Sequence, residues 1–207
     1  MNVSDFFQFL FRLTVSKNQL VRDIEALRRE IQPLKEKLVP FTNEEMELLS
    51  LNQSNFSKKR GFHKIYKGIF DTIYFENLIA YGIREYSNRQ KLILVTTTVD
   101  EFVYLVKSDK THVYLNNAEA GILTKDGKLV SLKNKLLGTV DGADHLHTHR
   151  VIINDKDCGF IANPRVKNHT IPRAFNLLKT MNAEERLIFL CLTLINLVEE
   201  SQLPKAK

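Results

Sequence analysis

Three histidines at alternate positions, His145, His147 and His149, come nearest in this chain to a constellation that could do chemistry. On a β-strand, residues two apart project from the same face. Three imidazoles so placed would present ligands for zinc or another borderline metal, with Asp144 or Asp141 supplying a carboxylate. The same spacing sets a limit. The outer pair lies about 13 Å apart at ~3.3 Å per residue, so one ion reaches all three only if the strand bends or other elements contribute. His112, His169, Asp157 and Cys158 are the other ligand types available. The alternative is a polar strand end that follows the Asp141-Gly142 turn.

Nucleophilic chemistry has less support. Cys158 lies beside Gly159, which reads as a turn or bulge, and no catalytic signature surrounds it. Cys191 falls in an apolar run, where a small buried thiol is the default. With two cysteines and no C-x-x-C pair, the chain suits a reducing compartment. It contains no phosphate-binding glycine loop and no G-x-S-x-G elbow.

Charge points to binding. The formal net charge is +6, which favours anionic partners: lipid head groups, nucleic acid or acidic proteins. Lys58, Lys59 and Arg60, with His63, Lys64 and Lys67, form a basic run suited to anionic head groups at about 1 kcal/mol per charge near a membrane. A second group comprises Arg150, Lys156, Arg165, Lys167 and Arg173. Nucleic acid ranks below lipid, because the nearby aromatics Phe56, Phe62 and Tyr66 read as core and not as stacking platforms.

These residues need elements to position them. Residues 1–40 read as an N-terminal amphipathic arm, with one long helix over 5–38. Leu20, Ile24, Leu27, Ile31, Leu34 and Leu38 are spaced as an a/d seam, either for self-association or for docking on the chain's own domain. Pro33 should kink or end the helix near Gln32. Phe6, Phe9, Leu10 and Leu13 share a side and suit a membrane interface or a partner. Met1 precedes Asp5 before any positive charge, and Gln8 and Arg12 break the apolar run, which does not fit a cleavable signal. Residues 41–60 read as a short helix opened by a Thr42/Glu45 capping box, then a polar linker over 52–60.

Residues 61–203 change period. Eight to ten short strands with turns every 8 to 12 residues, including the Asp126-Gly127 hairpin signal, indicate an antiparallel barrel or sandwich. Phe175, Leu177 and Leu178 suggest a helical turn. Asn182 and Glu185 then form a capping box before a helix whose run Leu187–Val198 is apolar on every side. Such a helix must be surrounded by protein or lipid, and about 18 Å is short of a bilayer's roughly 30 Å core. The predicted fold class is therefore α+β: an antiparallel barrel or strongly curved sheet wrapped around a buried C-terminal helix, behind an N-terminal helical arm.

This arrangement resembles the tubby-like superfamily, which includes tubby C-terminal domains, plant LURP-one-related proteins and phospholipid scramblases. The residues that carry the resemblance are the Asp126-Gly127 hairpin with Leu129-Val130, the run Leu136 to Val140, Val151-Ile152-Ile153, and Ala183 to Leu190 leading into the apolar helix. It covers about residues 60–200 and is architectural. The cysteine cluster and terminal membrane segment of scramblases are absent, and tubby's phosphoinositide-contacting basic residues are not carried over to particular positions here. Together with the basic clusters and the phenylalanine-rich start, the resemblance leads to the expectation of a non-enzymatic, cytoplasmic binding or scaffolding domain without a cofactor. It would be peripheral at anionic membrane lipid or bound to a protein partner; the a/d spacing of Leu20, Ile24, Leu27 and Ile31 separately offers a seam for self-association. The competing expectation is a metal-dependent enzyme with zinc on His145, His147, His149 and Asp144.

Overall fold

The structure, a computed structural model, describes residues 17–59, 64–86, 90–141, 148–163 and 173–201. Helix α1 (Lys17–Lys35) leads to α2 (Asn43–Leu48). The strands follow as β1 (Leu49–Lys59), β2 (Lys64–Thr72), β3 (Asn77–Glu85), β4 (Lys91–Thr96), β5 (Glu101–Val106) and β6 (Lys110–Leu115). Next come β7 (Ala118–Thr124), β8 (Lys128–Val130), β9 (Leu136–Asp141), β10 (Thr148–Ile153), β11 (Lys156–Ala162) and β12 (Phe175–Leu177). Helix α3 (Ala183–Ser201) is last.

All twelve strands form one sheet in chain order, each antiparallel to the next. The ends approach each other through a bridge between Ser50 and Arg173 and a hydrogen bond from Ala174 N to Leu49 O, 2.7 Å. The result is a nearly closed barrel. Several of its turns use the residues that a positive φ favours. Gly127, at φ 78°, sits where a Cβ would come within 2.3 Å of Val140 O, so Asp126-Gly127 makes the expected hairpin.

The bore is filled by α3. Phe189, Leu190, Leu192, Leu194, Leu197 and Val198 are buried in one cluster with inward residues such as Phe70, Ile93, Tyr104, Val113 and Val151. Tyr104 Oη donates to Leu190 O at 3.2 Å, fixing the helix against β5. Gly138 leaves room for it, since a Cβ there would meet Leu192 Cδ1 at 2.9 Å. Asn182 caps α3 reciprocally with Glu185: Glu185 N donates to Asn182 Oδ1 at 2.9 Å, and Asn182 N to the Glu185 carboxylate at 3.1 Å.

Helix α1 covers the outside of the same wall. Leu27 and Ile31 are buried with Leu92, Leu94 and Val103, which point away from the bore, and Leu34 packs on Ile69 and Ala80. One wall thus has a helix on each face. This explains why β3 and β4 read as nearly continuous apolar runs where one-sided strands alternate.

Three details differ from the sequence reading. Residues 52–59, expected as linker, belong to β1, whose polar chain is held by its ladder to β2 and by Ser50 Oγ donating to Asp71 O at 2.9 Å. Phe175 to Leu177 pair with β11 as a three-residue strand, too short for a period to declare it. Pro33 does not stop α1, which closes two residues later at Lys35. Pro33 is exposed while Leu34 anchors that last turn in the wall.

Candidate functional site

In a sheet that runs neighbour to neighbour, successive turns alternate between the two ends of the barrel. The turns β2–β3, β4–β5, β6–β7, β8–β9 and β10–β11 share the end where α3 is capped, here the cap end. The turns β1–β2, β3–β4, β5–β6 and β7–β8 share the other, here the far end. Lys91, at the start of β4, pairs with Glu199 near the close of α3 at 3.0 Å, which places the helix C-terminus at the far end.

Of the histidine constellation, Asp144, His145 and His147 lie outside the described residues. His149 sits on β10 with the parity of the buried Val151 and Ile153, so it faces the bore side, opposite Ile161 of β11. Its Nδ1 is buried and has no hydrogen-bond partner among the described residues. Among the described residues no three His, Cys, Asp or Glu side chains gather as metal ligands. The histidine–carboxylate pair His112 Nδ1 and Glu119 Oε1, 3.0 Å apart, lies on the outer wall, and its Nε2 is buried.

Both thiols are enclosed. Burial pushes Cys191 up to about 12 and raises Cys158 as well, which keeps both protonated and unreactive near neutrality. Cys158 adjoins Lys179, but that ammonium is engaged by Glu185 at 2.6 Å.

The basic run divides. Lys58 and Lys59 are the last residues of β1, so their backbone reaches the far end, and Arg60 lies outside the described residues. Lys64 opens β2, exposed, 3.9 Å from Glu85. Lys67 does not join them. Its ammonium lies against the wall, donating to the carbonyl and carboxylate of Glu30 at 2.9 and 3.0 Å. Beside it a shallow cleft of about 380 Å³ is lined by Ala26, Arg29, Glu30, Pro33, Ile65 and Lys67.

Reading the sequence alone missed a second set of far-end lysines. Lys107 and Lys110 flank the β5–β6 turn, and Lys125 opens the β7–β8 turn beside it. No carboxylate among the described residues pairs with these three, whereas Asp126 is held by Lys128 and Glu199 by Lys91. A signal existed: counting hairpins places every second turn at one end, so scattered lysines become neighbours.

The seam residues Leu20, Ile24, Leu27 and Ile31 all face the barrel. Polar contacts hold the helix around them. Asp23, 3 % exposed, accepts from Arg84 Nη1 at 3.1 Å, Tyr86 Oη at 2.7 Å and Gln19 Nε2 at 2.9 Å. Burial first, then the Asp23 carboxylate, raises Tyr86 well above the usual phenol range. Arg28 grips Glu101 of β5 through Nε at 3.0 Å and also contacts Asn117. Helix α1 therefore begins at the far end, beside Tyr86. The segment after it reaches the cap end, where Val39 N donates to Asn77 O at 2.8 Å.

No helix of the described residues is long and apolar enough to cross a membrane. No protein family, curated protein or solved structure matches the chain.

Proposed function

We propose that the chain is a tubby-like, non-enzymatic binding domain that associates peripherally with anionic membrane lipid through the far end of the barrel. The observation that carries the reading is the gathering there of Lys107, Lys110 and Lys125, unpaired among the described residues, on adjacent turns. Asp109, between them, is exposed and has no ion pair among the described residues. Lys64 and the end of β1 with Lys58 and Lys59 reach the same end, and α1 begins there. The phenylalanine-rich segment Phe6 to Phe11 precedes α1 in the chain. Apolar insertion beside a basic surface is the two-signal combination that stable peripheral attachment needs. The filled bore supports surface binding over enclosure of a small substrate, since α3 occupies the place where barrels hold ligands.

The energetics set the expected response. At about 1 kcal/mol per lysine near an anionic surface, removing three costs roughly 100-fold in partitioning. The attraction falls with salt as the Debye length shortens. Vesicle flotation tests the reading. The intact chain should float with phosphatidylserine-containing vesicles and not with phosphatidylcholine alone, and Lys107→Glu/Lys110→Glu/Lys125→Glu should stay at the bottom of the gradient. Equal, negligible flotation with both lipids, or flotation unchanged by the triple substitution, refutes it.

A further inference from the structure

The opposite end carries a feature that neither folding nor the lipid reading uses. In the β2–β3 turn, Thr72 ties the backbone tightly. Its N–H donates to Glu76 O at 2.8 Å, its carbonyl accepts from Phe75 N at 2.9 Å, and its hydroxyl accepts from Tyr74 N and Glu76 N, both at 3.2 Å. The turn so fixed points Tyr74 and Phe75 outward, 67 % and 76 % exposed. Phe75 also holds a left-handed backbone, φ 65°. Among the described residues the other non-glycine positions with positive φ are Asn116, Asn117, Asn134, Asn154 and Asp155. Those are the side chains that tolerate the region, because they hydrogen-bond locally and escape the Cβ penalty in part. Among the described residues Phe75 alone breaks this rule, and it buries little to offset the strain.

Val99, 62 % exposed, stands on the adjoining β4–β5 turn, itself fixed by Thr97 Oγ1 accepting from Asp100 N at 2.9 Å. The segment 39–41 bonds to both turns, Val39 N to Asn77 O at 2.8 Å and Phe41 N to Thr98 Oγ1 at 3.0 Å, so the two rigid turns flank it and together present an apolar pad at the cap end. Its border is mainly acidic: Glu76 in the turn, and Glu44 and Glu47 exposed on α2, whose Leu48 carbonyl accepts from Ile73 N at 2.9 Å. Lys37, on the segment bonded to Asn77, and Arg173, bridged to Ser50 beside the start of β1, are exposed cations at the same end.

We infer that Tyr74, Phe75 and Val99 form the anchor of a docking surface for a partner protein that offers an apolar pocket with a basic rim. Exposed, preorganised aromatics are the usual energetic centre of protein interfaces. The carboxylate border favours a basic rim by charge complementarity and disfavours an anionic bilayer. The pad lies at the end opposite the unpaired lysines, so a chain seated on a membrane by its far end turns this surface away from the lipid.

Selection of random dodecapeptides displayed on phage against the full chain tests the inference. Enriched peptides should combine aliphatic or aromatic residues with lysine or arginine. Their binding should fall roughly tenfold or more with Tyr74→Ser/Phe75→Asn, the loss typical of an interface hot spot. It should weaken with Glu44→Lys/Glu47→Lys/Glu76→Lys and hold with the far-end triple lysine substitution, which separates this surface from the lipid one. Phe75→Asn should melt at or above the temperature of the parent, so lost binding cannot be blamed on unfolding. Three results overturn the inference. The first is failure to enrich peptides, or enriched peptides that bind the tip variant equally well. The second is a blue shift of Phe75→Trp, the sole tryptophan in a chain that has none, on phosphatidylcholine vesicles, which makes the pad a bilayer contact. The third is a dimeric molar mass that Phe75→Asn dissolves, which makes the occupant a second copy.

Discussion

Replacing Asp23 with alanine is the most informative single perturbation of this fold. The carboxylate is 3 % exposed and serves three donors, of which Arg84 is charged and only 13 % exposed at its side chain. Removing it strands a guanidinium under α1 and takes an acceptor from the Tyr86 hydroxyl. Breaking a buried ion pair from one side costs about 3–5 kcal/mol. Arg84 keeps slight solvent access and lies 6.0 Å from the Tyr86 ring centroid, so the lower end of that range, about 3 kcal/mol, is expected. For a chain of this size that corresponds to a melting temperature roughly 6–12 °C lower. Urea unfolding followed by circular dichroism measures the cost. Hydrogen exchange locates it, with amides of α1 losing protection before those of β3 and β4. A cycle with Arg84→Met isolates the pair: the double variant should be no worse than Asp23→Ala. A loss under about 1 kcal/mol, or additive effects of the two substitutions, refutes the claim that this pair holds α1 to the barrel.

Further expectations follow from the same structure. Cys158 and Cys191 should be inert to a thiol reagent at pH 8 in the folded chain and both react in denaturant, because burial raises both thiols; rapid modification of the native protein contradicts the enclosed bore. Asp126 is pulled down to about 2, first by its hydrogen bond with Lys128 and then by Thr124. Its folded value lies below its unfolded one, so its contribution is present above about pH 4 and lost as pH falls through 2; a carboxyl carbon resonance titrating near 4 counts against that contact. Leu190→Asp places a charge inside the filled bore and should leave no cooperative unfolding transition, whereas a soluble, cooperatively folding variant means α3 is not the core. Elemental analysis should find no stoichiometric zinc, and a full equivalent lost on His149→Ala revives the metal-dependent alternative.

How much of this was written in the sequence depends on whether the signal is local. The α3 run is apolar all round, so its burial was legible from residue types alone. Asp126-Gly127 and the capping pairs Thr42/Glu45 and Asn182/Glu185 were legible because each is satisfied by its own neighbours. β1 was not, because residues 52–59 hold one strand-favouring residue, Phe56, among polar ones, and become a strand through pairing with β2. The α1 seam was legible as a seam but not as to its partner, since period 3.5 describes a face and is silent on what covers it. The lysine cluster and the Tyr74-Phe75 tip were legible only after the hairpins were counted into ends. Each takes its place from which turns share an end, and that follows from the strand order of the whole sheet and not from local residue types.

The position of α3 in the chain has a consequence for biosynthesis. Every strand pairs with the strand made just before it, so the sheet can assemble during translation, at the ribosome's pace of about 5–20 residues per second. The helix that fills the bore is made only after the twelfth strand. Until then the inward faces of Phe70, Tyr81, Ile93 and Tyr104 have no α3 to pack against. A stalled or prematurely terminated chain that ends before Ala183 is thus a curled sheet with an unfilled apolar lining, a form prone to aggregate and to attract chaperones. Loss of the last helix should abolish accumulation of the protein, while loss of α1 should leave a barrel that still closes around its core.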